Sequence, residues 1–241
     1  MTKFLHLSDL HSHFPKSLKG FKGTVLITGD IMDDGAEFEY NRAYHRLYDL
    51  GKDALSIITP GNHDYGLRGN IPDHESISRF DILSGMLQNH HYDQKKIYID
   101  KSAIDKWILL GLNSCRMDET IKGFAQGEFG ERQLTDLSLI LEEQARPDYQ
   151  LIIMFHHHPF WDSRFSKLRD AKKFLAIVKK FKNRYKHTTL LFGHQHVKGE
   201  FNIAENIKGF AAPATWMNNK ALQITIDNGN ISFGEKVIDL Y

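Results

Sequence analysis

Five short polar clusters in this chain are built from residue types that bind metal ions. They are "DLH" at 9–11, "GD" at 29–30, "GNHD" at 61–64, "HHH" at 156–158 and "GHQH" at 193–196. Imidazole, carboxylate and amide oxygen are ligands for manganese, iron or zinc. The single cysteine, Cys115, excludes a thiolate zinc cluster and a disulfide within one chain. A carboxylate shared between two ions would hold them roughly 3.5–4 Å apart, the spacing that clamps a displacement at phosphorus. Charge points the same way: two divalent ions, two carboxylates and one hydroxide leave about one positive charge, which attracts a phosphate. Each cluster alone has an ordinary explanation as a turn or a cap. Five together, each at the end of an apolar run, do not.

The apolar runs that position them read as strands at 4–7, 24–28, 54–59, 96–99, 107–112, 151–155 and 188–192. Several are short, continuous and β-branched, as strands buried on both faces are. Ligands in open α/β sheets bind beyond the carboxyl ends of strands, where all five clusters lie. Between the strands, Tyr40, Ala43, Tyr44, Leu47 and Leu50 fall at helical spacing. So do Leu134, Leu137, Ile140 and Leu141, and again Leu168, Ala171, Phe174, Leu175, Val178 and Phe181. The tail, "ALQITIDNGNISFGEKVI", alternates around Asn228-Gly229, the strongest short hairpin signal. Strand–helix alternation ending in antiparallel strands predicts a mixed α/β sandwich, and the absence of repeats and linkers predicts one domain over 1–241.

The 241 residues are 41% hydrophobic and 25% charged, enough for a sizeable core, and the net charge of +1 implies no nucleic-acid or acidic partner. No run approaches the roughly 20 apolar residues of a membrane span. The first residues lack a signal-peptide layout, so a soluble cytoplasmic protein is the expectation. Lysines and arginines near 167–186 form a basic helix face, read as solvated rather than as a nucleic-acid surface. A homodimer is the base-rate expectation for assembly.

In order and spacing, the five clusters resemble the calcineurin-like metallophosphoesterase superfamily, whose pattern is D-x-H, G-D, G-N-H-[DE], H and G-H-x-H. The match runs from residue 9 to 196. It implies a four-layer α-β-β-α sandwich of two mixed β-sheets flanked by helices, with two divalent ions such as manganese, iron or zinc. Asp9, His11 and His196 would hold one ion and Asn62, His157 and His194 the other, with Asp30 bridging. His157 is selected because the family's ligand typically stands two residues before a proline, here Pro159. His156 and His158 would then point to the opposite side of the strand, His156 as a satisfied buried histidine and His158 with a possible outlook on the cleft. His63 would stabilise the transition state or protonate the leaving oxygen while a metal-bridging hydroxide attacks in line. Asp33 would orient His63, as in the family's protein phosphatases. Asp34 departs from those phosphatases, which carry a phosphate-binding arginine there. The segment with Gly127, Phe129, Gln133 and Leu134 more loosely resembles the cyclic-nucleotide and glycerophosphodiester phosphodiesterases. The expected activity is therefore hydrolysis of a small-molecule phosphodiester. A phosphomonoesterase or nuclease using the same site is the alternative, and a non-enzymatic scaffold the more distant one. The cleft walls are expected from 65–95, 114–130 and 199–220, with Trp216 and Met217 as wall or core residues.

Overall fold

Alternating side chains along the strands bury both faces of two sheets. The computed structural model describes residues 1–18, 21–50, 54–67, 69, 71–116 and 125–240. In chain order the strands of the two large sheets are β1 (Thr2–Leu7), β2 (Gly23–Thr28), β3 (Ala54–Thr59), β4 (Tyr98–Ser102), β5 (Trp107–Gly111) and β6 (Arg146–Met154). They continue as β7 (Tyr185–Phe192), β8 (Gly199–Ala204), β9 (Ile207–Ala211), β10 (Lys220–Asp227) and β11 (Asn230–Val237). The helices are α1 (Glu37–Leu50), α2 (His74–Gln88), α3 (Glu131–Glu143), α4 (Ala171–Lys180) and α5 (Thr215–Asn218).

The first sheet has the order β11-β10-β1-β2-β3 and the second β8-β9-β7-β6-β5-β4. Both are mixed: β1, β2 and β3 run parallel, as do β5, β6, β7 and β9, while the outer strands pair antiparallel. Phe4, Leu26, Ile57, Leu109, Ile152, Met154 and Leu191 meet in the layer between the sheets. Their neighbours Leu5, Val25, Ile27 and Ile58 pack outward against α1 and α2, and Ile108, Leu110, Leu151, Ile153 and Leu190 outward against α3 and α4. This period of two on doubly buried strands produces the four layers. Each such side chain contributes about 1.5–3 kcal/mol by leaving water.

Several expected boundaries move. α4 stops at Lys180, and Tyr185 already belongs to β7. β6 begins at Arg146 and β4 at Tyr98. Within the expected 199–220 wall, residues 199–211 form the hairpin β8–β9 and Thr215–Asn218 the short helix α5. α2 has no clean stripe in the sequence, because exposed Ile82 and Met86 blur the buried Ile77, Phe80 and Leu83. Its start is marked by Asp73, whose carboxylate accepts the Ser76 N–H at 2.8 Å. Asn228 and Gly229 both take positive φ, 47° and 72°, as a two-residue turn between β10 and β11 requires. Part of the expected 114–130 wall lies outside the described residues. No helix among the described residues is long and apolar enough to cross a membrane.

Candidate metal centre

The turns after β1, β2, β3, β6 and β7 are joined by hydrogen bonds. Asp9 N–H donates to Gly29 O and His11 N–H to Asp30 O, both at 3.0 Å. Gly193 N–H donates to His156 O at 3.0 Å, and His194 N–H reaches both carboxylate oxygens of Asp9 at 3.1 Å. Buried Asp64 fastens two turns at once, accepting the N–H groups of Ile31, Met32 and Gly61 at 2.8–2.9 Å. Glu39 does the same for the loop after Asp30, accepting from Asp33 N–H at 2.9 Å and from Asp34 and Ala36 N–H at 3.0 Å. Space is tight: a Cβ on Gly61 would lie 2.2 Å from Asp30 Oδ1, and one on Gly193 2.4 Å from Asp9 Oδ2.

The same turns store strain. Asp9, His11, Asp30, His194 and His196 all adopt positive φ, between 43° and 74°. For a residue with a side chain each such conformation costs of order 1 kcal/mol, and it persists only where the surroundings over-determine it. Five in one cluster mark a place where side-chain direction outweighs backbone comfort.

The strained residues aim their donors at one another. Three groups of possible ligand atoms each lie within 4.8 Å: Asp9, His11 and His196; His11, Asp30 and His63; and Asp30, His156 and His194. His11 Nε2 faces His196 Nε2 at 3.3 Å, and His156 Nε2 faces His194 Nδ1 at 3.1 Å. Asn62 joins the third group, its Oδ1 3.1 Å from His156 Nε2. Its Nδ2 donates to Gly69 O at 3.0 Å, which turns the oxygen inward. Ring nitrogens aimed at one another repel unless a proton or a cation lies between them. The donor set, nitrogen and oxygen without sulfur, therefore fits metal ions of the manganese, iron or zinc kind.

Electrostatics agree. Burial opposes charge on Asp30, yet the neighbouring His156 holds its carboxyl well below the usual carboxylate range. Burial likewise opposes charge on His156, but Asp30 and then Asp9 outweigh it and push the imidazole up to about 9. Burial, then the charge of His156, drives His194 down to about 3. Two buried carboxylates thus draw positive charge into the pocket, while His194 beside them stays neutral, the form in which imidazole binds a metal.

The expectation for the histidine run is reversed. His156, not His157, faces the cluster: its Nδ1 donates to Thr28 O at 2.7 Å, which leaves Nε2 3.1 Å from Asp30 Oδ2. His157 belongs to none of the three donor groups: its ring packs on that of His194, 4.5 Å between centroids, with Nδ1 2.9 Å from Ser114 Oγ and a buried, unpartnered Nε2. The strand ends at Met154, so its period of two does not govern 156–158, and the structure brings to the cluster a different histidine from the one that the spacing to Pro159 selects. His158 does not face the cleft. It is buried among Phe192, Phe201 and Trp161, and accepts the Phe160 N–H at 3.2 Å.

Asp33 is also placed differently. Its carboxylate lies 3.0 Å from His11 Nδ1, and it touches His63 only through its backbone carbonyl, which takes the His63 Nδ1 proton at 2.5 Å. His63 stands beside the cluster, its ring centroid 4.7 Å from that of His11 and its N–H on Asp30 Oδ1 at 2.9 Å. Ser114 and Glu39 are supporting residues that the sequence signals did not single out, and Asp64, the last residue of "GNHD", fastens turns instead of joining a donor group. Gln133, in the segment that begins α3, grips the backbone of Asn113, with bonds of 3.0 and 2.7 Å to its N–H and carbonyl.

Comparison with known proteins identifies the family and the fold. The model of the family described as calcineurin-like phosphoesterase matches residues 2–198. The 3',5'-cyclic adenosine monophosphate phosphodiesterase CpdA of Vibrio vulnificus is 28% identical over 204 residues, 81% of this chain and 62% of that protein. A protein of Arcobacter nitrofigilis named "Probable glycerophosphodiester phosphodiesterase GpdQ" is 30% identical over 146 residues, 59% of this chain and 44% of that one. The chain thus spans less than two thirds of the length of either relative. A dimetal phosphatase from Danio rerio shares the fold with a TM-score of 0.64 at 12% identity, over 96% of this chain and 98% of that one. A 5'-nucleotidase from Candida albicans does so with a TM-score of 0.54 at 12% identity, over 97% and 50%.

Proposed function

The chain belongs to the calcineurin-like phosphoesterase family, and from that premise we propose that it is a two-metal hydrolase of small-molecule phosphodiesters. The observation that carries this is the linkage of three donor groups through shared members, Asp30 and His11. In this reading Asp9, His11 and His196 would hold one ion and Asn62, His156 and His194 the other, with Asp30 within reach of both sets. When bound, the ions supply Lewis acidity and activate water near neutral pH.

His63 moves the proton. The Asp33 carbonyl keeps a proton on Nδ1, so Nε2 is the nitrogen left to serve the leaving oxygen. Asp34 occupies the exposed lip of the same loop. A carboxylate there repels a dianionic monoester more than a singly charged diester, which supports the diester reading. The names of the two sequence relatives, both phosphodiesterases, agree with it.

Metal-stripped protein, supplied in turn with manganese, iron, zinc, nickel or magnesium, is expected to hydrolyse bis(p-nitrophenyl) phosphate faster than p-nitrophenyl phosphate. Without added metal the activity is expected to vanish. A preference for the monoester would overturn the argument from Asp34. Asp33→Ala is expected to weaken metal binding about 10–100-fold, as loss of a ligand's hydrogen-bond partner does, because its carboxylate holds His11. Metal titration monitored by calorimetry checks this; an unchanged affinity would remove that role from Asp33.

A further inference from the structure

Trp216 is 39% exposed, so it is a surface side chain and not part of the core. Its ring stands edge-on to that of His11, 6.4 Å between centroids. His11 is also the neighbour of His63 at 4.7 Å and of His196 at 5.3 Å, so the indole borders the metal centre directly. His13 lies nearly parallel to the indole, at 5.8 Å and 26°. Its Nδ1 donates to His11 O at 2.6 Å, which ties this ring to the backbone of the centre.

The segment carrying Trp216 is held in place. Thr215 N–H donates to Ser8 O at 3.0 Å, and Ser8 N–H to Thr215 Oγ1 at 3.2 Å. Ser8 immediately precedes Asp9, so α5 is fastened to the strand end that presents Asp9 and His11. The helix closes at Asn219, whose carbonyl accepts the Ile238 N–H at 2.8 Å. An exposed, flat and pre-organised aromatic surface loses little freedom when a ligand settles on it. Other exposed aromatics are placed differently: Phe160 and Trp161 join the cluster around His158, Phe192 and Phe201.

From this juxtaposition we propose that Trp216 and His13 form a stacking shelf for a planar heteroaromatic base, and that the substrate is a nucleotide-type phosphodiester. The inference rests on the phosphodiesterase reading of the adjoining centre. The shelf starts one ring away from the proposed ligand His11, 6.4 Å between centroids. Stacking uses the π-face that every base has, so the shelf selects for a base without reading which one. A glycerol diester offers no flat face to it.

The test compares metal-loaded wild type, Trp216→Ala and Trp216→Phe on a cyclic nucleotide and on glycerophosphoethanolamine. Trp216→Ala is expected to lower kcat/KM for the nucleotide by about 5- to 150-fold, mainly through KM. Trp216→Phe should restore most of it, and the glycerol diester should be affected in neither variant. Equal losses on both substrates, or no loss on the nucleotide, would overturn the shelf while leaving the phosphodiesterase reading intact. Binding gives an independent readout. Adenosine 5'-monophosphate, but not glycerol phosphate, should quench the tryptophan fluorescence of the wild type, and Trp216→Phe should abolish that quench. A protein that hydrolyses no diester yet shows this quench would sink the proposed reaction and keep the shelf. Absence of the quench in the wild type would sink the shelf itself.

Discussion

His156→Ala is expected to leave the protein with one tightly bound ion in place of two, and His157→Ala to leave both. Both residues are buried beside His194, but their ring nitrogens have different partners. His156 Nε2 lies within 3.1 Å of Asp30 Oδ2, Asn62 Oδ1 and His194 Nδ1, and the Thr28 carbonyl holds its other nitrogen. Losing a mere hydrogen-bond partner of a metal ligand costs about 10–100-fold in affinity, so losing the donor itself should cost at least about 100-fold. Hydrolysis should fall with the second ion. His157 is held by Ser114 and packs on the ring of His194 at 4.5 Å, but it joins none of the donor groups. Truncating it leaves a cavity costing about 2 kcal/mol, which in a chain of this size lowers Tm by about 4–8 °C. Metal analysis of dialysed protein, with thermal melts alongside, separates the two variants. Loss of an ion in His157→Ala with retention in His156→Ala would restore the rule based on the spacing to Pro159.

That reversal shows where sequence information thins out. The five clusters and their attachment to strand ends are readable because ligand types are few and doubly buried strands are continuous apolar runs. Their convergence follows from the parallel order β1-β2-β3 in one sheet and β5-β6-β7 in the other, which strand and helix alternation already implies. Which member of "HHH" faces inward is decided elsewhere. It depends on where the Thr28 carbonyl and the Ser114 hydroxyl stand, and both come from strands distant in sequence. Asp33 teaches the same lesson at shorter range. Its position in "GDIMDDG" predicts a carboxylate on His63, but the loop is folded around Glu39, and the carboxylate is delivered to His11 instead. The helix α2 is missed for a third reason: exposed Ile82 and Met86 blur its buried stripe.

His63→Ala is expected to lower kcat by about 10²–10⁴-fold, the range typical of a lost general acid. Both ions should remain, because His63 touches the centre from outside the two proposed ligand sets. Its backbone N–H still donates to Asp30 Oδ1 in the variant, so the bridging carboxylate keeps its orientation. The size of the loss should depend on the leaving group. A p-nitrophenolate leaves without help, and its ester should lose little. An alkoxide needs a proton, and a nucleotide or glycerol diester should lose the full factor. This contrast is what proton transfer from Nε2 requires, and a purely structural role for His63 would slow both classes alike. An equal loss on good and poor leaving groups, with metal content unchanged, would therefore move His63 from proton donor to a group that only neutralises charge on phosphorus. Full activity on both would remove it from the reaction and leave the ions to act alone.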